Sequence, residues 1–132
     1  TGTIDVLPTI AAITGKSLPT DRKIDGMDVS ALWMGKAEKS PRNEFVHYTS
    51  RGDLEGIRQG DWKLLVRKPR ARRNQKNKEQ PTPQVMLFNL KDDLGEQTNV
   101  AADHPGTVQK LQARMTELDN EITRNARAPW QK

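Results

Sequence analysis

Val108, Leu111, Met115, Leu118 and Ile122 recur at spacings of 3, 4, 3 and 4. Side chains spaced in this way stack along one side of a helix, and that side must be covered by another element. Asp103 lies just before Pro105, a capping residue followed by a proline near the first helical position. Pro129 marks the other end. The pattern predicts a helix over 105–125 that needs a partner surface.

The preceding segments supply one. Phe45-Val46-His47-Tyr48, Gly56-Ile57-Arg58-Gln59, Trp62-Lys63-Leu64-Leu65-Val66 and Val85-Met86-Leu87-Phe88-Asn89-Leu90 are short runs of β character. Gly60-Asp61 joins the second to the third as a two-residue, glycine-first connection suited to a type I′ or II′ hairpin. The fold class predicted is α+β, a small four-stranded antiparallel sheet packed by the C-terminal helix.

Upstream, Ile4, Leu7, Ile10, Ala11 and Ile13 fall at near-helical spacing over 3–14, with Asp5 in the first turn and Gly15 as the stop. The expectation is a short helix with its aliphatic face buried. Asp28 is placed to cap a single turn through Trp33, and Trp33 and Trp62 are read as core residues. The chain begins at Thr1 without a methionine, inside this amphipathic segment, which suggests a piece of a longer protein.

The chain has 132 residues and a net charge of +5, which invites a polyanion partner. Seven of the 22 basic residues, however, sit in Arg67-Lys68-Pro69-Arg70-Ala71-Arg72-Arg73-Asn74-Gln75-Lys76-Asn77-Lys78, and removing that run leaves 15 basic against 17 acidic residues. The basicity is local. The run lies between two predicted strands, at a hairpin tip, and lacks interleaved aromatics for base stacking. It reads as a solvated loop, and a basic interaction or nucleic-acid-binding module using 67–78 is the alternative reading. Cysteine is absent, which excludes a disulfide framework, a thiolate metal site and a cysteine nucleophile. No apolar run approaches the about 18 residues that span a bilayer, so no membrane partner is expected.

Few residues carry chemistry. His47 and His104 are far apart and in no metal-ligand spacing. His104 precedes Pro105, where a capping or surface role is expected. His47 leads into Thr49-Ser50-Arg51-Gly52-Asp53 and needs a partner before acid–base work can be assigned to it. Asp92, Asp93 and Glu96 read as a turn with side-chain-to-backbone hydrogen bonds rather than a metal site.

The ordered pieces together resemble the sulfatase family (arylsulfatase-like). T-I-D-V-L-P-T-I-A-A-I-T-G (3–15), L-P (18–19) and D-G-M-D-V-S-A-L-W-M-G (25–35) resemble the closing part of its catalytic domain. G-I-R-Q-G-D-W-K-L (56–64) resembles its "avR-gdwKl" hairpin, and M-L-F-N-L-K-D-D-L-G-E-Q-T-N-V-A (86–101) its "LydL--DpgE--Nla" segment. Any one piece is weak, but four in series are specific and cover nearly the whole chain. Leu94 stands where many relatives have proline, a change of turn stiffness alone.

What the resemblance implies is the C-terminal portion of an enzyme that hydrolyses sulfate esters with a formylglycine made from a C/S-x-P-x-R motif, beside a calcium ion. That motif is absent. Ser17-Leu18-Pro19-Thr20-Asp21 has Asp21 where arginine is required, and Lys39-Ser40-Pro41-Arg42 has the wrong spacing. Calcium and formylglycine are therefore expected outside this chain, and no catalytic or metal-binding residue carries over. Residues 1–41 would be the end of an alkaline-phosphatase-like α/β catalytic domain, and 42–132 a C-terminal sheet-and-helix subdomain. The partners implied are the rest of that domain and a sulfated small molecule or glycan, with a periplasmic or secreted location. His47, Arg51 and Arg58 are the substrate-rim candidates, because cationic side chains on scaffolded loops suit an anionic ligand.

Overall fold

A computed structural model describes residues 1–67 and 82–126. The chain divides into two compact units, one built on Thr1–Asn43 and the other on Glu44–Arg124.

In the first unit a 3₁₀ turn, Thr3–Asp5, runs directly into helix α1, Val6–Thr14. Pro8 lies in the first turn, where helical N–H groups have no intrahelical partner to lose. Gly15, at φ +65°, ends the helix. Helix α2, Ser30–Trp33, is a single turn whose N-cap is Val29 rather than the expected Asp28, and Asp28 Oδ1 accepts the Ser30 N–H at 2.8 Å from just outside the helix, as in an Asx turn.

The helix over 3–14 forms, but the aliphatic row is not its buried side. Ile4, Leu7, Ile10 and Ile13 are 42–54% exposed, while Asp5, Pro8, Thr9 and Ala11 face inward. Hydropathy assigned the inside to the aliphatics, whereas within this chain a polar assembly occupies it. Trp33 also departs from expectation, at 48% exposed. Four helical residues offer no second turn to fold over an indole.

In the second unit the strands β1 (Glu44–Tyr48), β2 (Leu54–Gln59), β3 (Trp62–Arg67) and β4 (Gln84–Asn89) form one antiparallel sheet in the order β1-β2-β3-β4. Gly60, at φ +58°, makes the β2–β3 connection, and Asp61 keeps a negative φ, the pattern of a type II′ turn. Helix α3, Pro105–Asn125, follows the predicted bounds. Leu111 and Met115 on α3 meet Ile57, Leu64 and Leu87 of the sheet in one buried cluster, with Val108, Leu118 and Trp62 packed around it. Trp62 thus joins the core as expected. Each fully buried aliphatic contributes about 2 kcal/mol.

The run 67–78 lies outside the described residues except for Arg67, which ends β3 and pairs with Gln84 of β4.

Candidate functional site

Residues paired across antiparallel strands share a face. Val46, Ile57, Leu64 and Leu87 form the row on the face that packs α3. The opposite face includes two rows that bear on the rim residues. One is Phe45, Arg58, Lys63 and Phe88, and the other is His47, Gly56, Leu65 and Met86. Strand alternation therefore puts His47 and Arg58 together on the face away from α3.

His47 is half-buried, and its ring meets Phe45 edge-on at 5.4 Å between centroids. Its Nε2 is buried with no hydrogen-bond partner among the described residues. Burial holds its pKa below the ordinary histidine value, and the cation of Lys63 adds to this, partly opposed by Glu96 and Glu55. Arg58 is exposed, and its Nε donates to Gly60 O at 3.2 Å.

Arg51 is not brought to the same place. It sits in the β1–β2 loop, where Thr49 Oγ1 accepts the N–H groups of Arg51 and Asp53, at 3.3 and 3.1 Å. That loop is at one end of β2 and Arg58 is at the other, about 13 Å away at a strand rise of about 3.3 Å per residue. The loop is well formed, but its cation stands apart from the pair on the sheet.

The carboxylates after β4 serve the fold. Asp93 Oδ2 accepts the Thr98 N–H at 2.8 Å, and backbone N–H groups, that of Thr98 foremost, hold its carboxyl below the usual range. Asn99 Oδ1 accepts the N–H of Leu87, and Val100 N–H donates to Leu87 O, so this segment stitches the free edge of β4. Glu96 takes a left-handed backbone conformation, φ +55°, and its carboxylate meets Lys63 Nζ at 2.5 Å. Two motifs more than thirty residues apart in sequence are thus joined by one ion pair. Among the described residues no three of His, Asp and Glu gather closely enough to hold a metal ion.

A second polar assembly was not legible from spacing. Asp5, fully buried, accepts from Gly2 N at 2.7 Å, from Met27 N at 2.9 Å, and from Arg42 through both Nε and Nη2. Arg42 Nη2 also donates to Asp25 O at 2.9 Å. Thr9 Oγ1 donates to Asp5 O and accepts the Val29 N–H. The Arg42 guanidinium holds the Asp5 carboxyl well below the usual carboxylate range, against the opposing effect of burial. The i, i+4 pair Asp5 and Thr9 was the available signal, but the cation that completes the assembly lies 37 residues away. Gly26 belongs to the same arrangement, because a Cβ there would lie 2.0 Å from Ile4 O.

On the sheet, α3 is fixed by side chains of β1. Arg114 grips Glu44 through Nη2 at 2.5 Å and Nε at 3.0 Å, and Tyr48 Oη donates to Asp119 at 2.8 Å. Burial and that carboxylate push the Tyr48 phenol up to about 12.

No family model matches the chain. Among curated proteins, arylsulfatase G of Canis lupus familiaris is 29% identical over 124 residues, which is 87% of this chain and 23% of that protein. Steryl-sulfatase of Rattus norvegicus is 44% identical over 48 residues, 36% of this chain and 8% of that protein. Among solved structures, the PsFucS1 sulfatase from Pseudoalteromonas sp. superposes with a TM-score of 0.69 at 20% identity, over 95% of this chain and 26% of that one. The chain spans less than a quarter of the length of the arylsulfatase G it matches.

Proposed function

Because the chain is a homologue of the sulfatases that spans under a quarter of an arylsulfatase's length, we propose that it is the C-terminal portion of a sulfuric ester hydrolase. In this reading 1–41 closes the alkaline-phosphatase-like catalytic domain and 42–132 is the C-terminal subdomain. The formylglycine nucleophile and calcium belong to the remainder of the enzyme. This portion is structural, and His47, Arg51 and Arg58 contribute to the substrate rim, with Arg58 and His47 acting from the sheet and Arg51 from its own loop.

The observation that carries the reading is helix α1. Its nine residues include no charged side chain, and Val6, Leu7, Ile10 and Ile13 are all at least 46% exposed. An exposed aliphatic row of this size marks a surface built for covering. The remaining three-quarters of the enzyme is what covers it.

The test compares the 132-residue chain with the complete encoded enzyme on an aryl sulfate. The complete enzyme is expected to release phenol and sulfate, and the isolated chain none above background. Turnover by the isolated chain, or none by the complete enzyme, would sink the reading. Leu7→Glu should leave the isolated chain folded, because the side chain points to solvent there, and should abolish assembly of the complete enzyme.

A further inference from the structure

The face of the sheet away from α3 is closed at one side and open at the other. In the row Phe45, Arg58, Lys63, Phe88, the last ring is 5% exposed and Lys63 is neutralised by Glu96. The other half is different. Phe45 is 40% exposed, and Arg58, directly opposite it on β2, has no carboxylate partner among the described residues. Facing Cβ atoms in such a pair are about 5 Å apart. His47 meets the Phe45 ring from the neighbouring row, and the Arg58 Nε contact with Gly60 O holds the base of the guanidinium while its terminal nitrogens remain available.

We propose that Phe45 and Arg58 form a recognition shelf for a flat-ringed ligand bearing one anionic ester group. The ring lies on Phe45 and the anion is held by the Arg58 guanidinium. Aromatic faces accept planar rings by offset stacking, and a guanidinium matches two oxygens of an anion at once. The shelf rests on the sulfate-ester reading for the identity of its ligand, which makes Phe45 the partner of Arg58 in binding the organic part of that ester.

The chain contains two phenylalanines, so fluorine-labelled Phe45 and Phe88 give an exposed reporter and a buried internal control. Phenyl sulfate, phenol and inorganic sulfate are titrated into the full 132-residue chain. The Phe45 signal is expected to move saturably with phenyl sulfate while the Phe88 signal stays fixed. Phenol and inorganic sulfate, and phenyl sulfate on R58Q, should each bind at least about fivefold more weakly, the loss expected when one charge-assisted contact is removed. A Phe45 signal that ignores phenyl sulfate, equal affinity for all three probes, or equal shifts at both rings would overturn the shelf. Binding here without sulfatase turnover by the complete enzyme would keep the shelf and remove the parent reading, and turnover without binding would do the reverse.

Discussion

Asp5 shows how one residue can hold a segment that has little apolar core of its own. Its carboxylate is fully buried and collects backbone donors from Gly2 and Met27 and a two-pronged grip from Arg42, whose side chain is 14% exposed. Removing one partner of such a pair leaves an uncompensated buried charge, at a cost of about 3 kcal/mol. D5N is therefore expected to lower the stability of the α1 unit by about that amount, read from urea titration of α1 backbone resonances. The pH dependence has a definite sign. The folded carboxyl is held far below the unfolded value of 3.8, so its contribution is complete above that pH and is lost as pH falls below it. The wild-type chain should lose stability on going from pH 4 towards pH 2 more steeply than D5N does. Parallel slopes would show that Asp5 carries no linked proton.

At the scale of elements, the sequence was readable where one local rule decided the outcome. The 3-4-3-4 stripe predicted α3 because Val108, Leu111, Met115 and Leu118 answer to the same sheet surface, although the last member, Ile122, is 36% exposed. Gly60-Asp61 predicted the β2–β3 turn because few residues accept a positive φ at that position. The α1 face was misread because its inward side is organised by Asp5 and Arg42, 37 residues apart, and Trp33 because a single helical turn does not enclose it, neither of which periodicity can register. The rim residues illustrate the same limit. Alternation puts His47 and Arg58 on one face, but only register shows that Phe45 faces Arg58 and that Lys63 is engaged by Glu96. At Leu111, 2% exposed at the centre of the helix–sheet contact, Leu111→Ala should cost about 3 kcal/mol through lost burial and a residual cavity. Thermal unfolding followed by near-ultraviolet circular dichroism of Trp62 would measure it, and a change under 1 kcal/mol would mean that α3 is not held by this stripe.

At the scale of the whole molecule, the two units differ in what stabilises them. The sheet unit closes its own core, with Ile57, Leu64 and Leu87 at 0% exposure beneath Leu111 and Met115. It also adds the Arg114–Glu44 and Tyr48–Asp119 links between α3 and β1. Among its described residues the α1 unit buries only Pro8, Ala11 and Val29 as apolar side chains, and its order otherwise depends on the Asp5 assembly. Opening free energy follows buried apolar contact. Native-state hydrogen exchange on the isolated chain should therefore find the amides of β2 and β3 exchanging only on global opening. The α1 amides should exchange through a smaller, separate opening. In the complete enzyme the same α1 amides should become as slow as those of β3, since covering Leu7, Ile10 and Ile13 adds about 2 kcal/mol for each side chain removed from water. If α1 is already as well protected as β3 in the isolated chain, the exposed row is not an unfilled interface, and the helix would have to be regarded as complete without the rest of the enzyme.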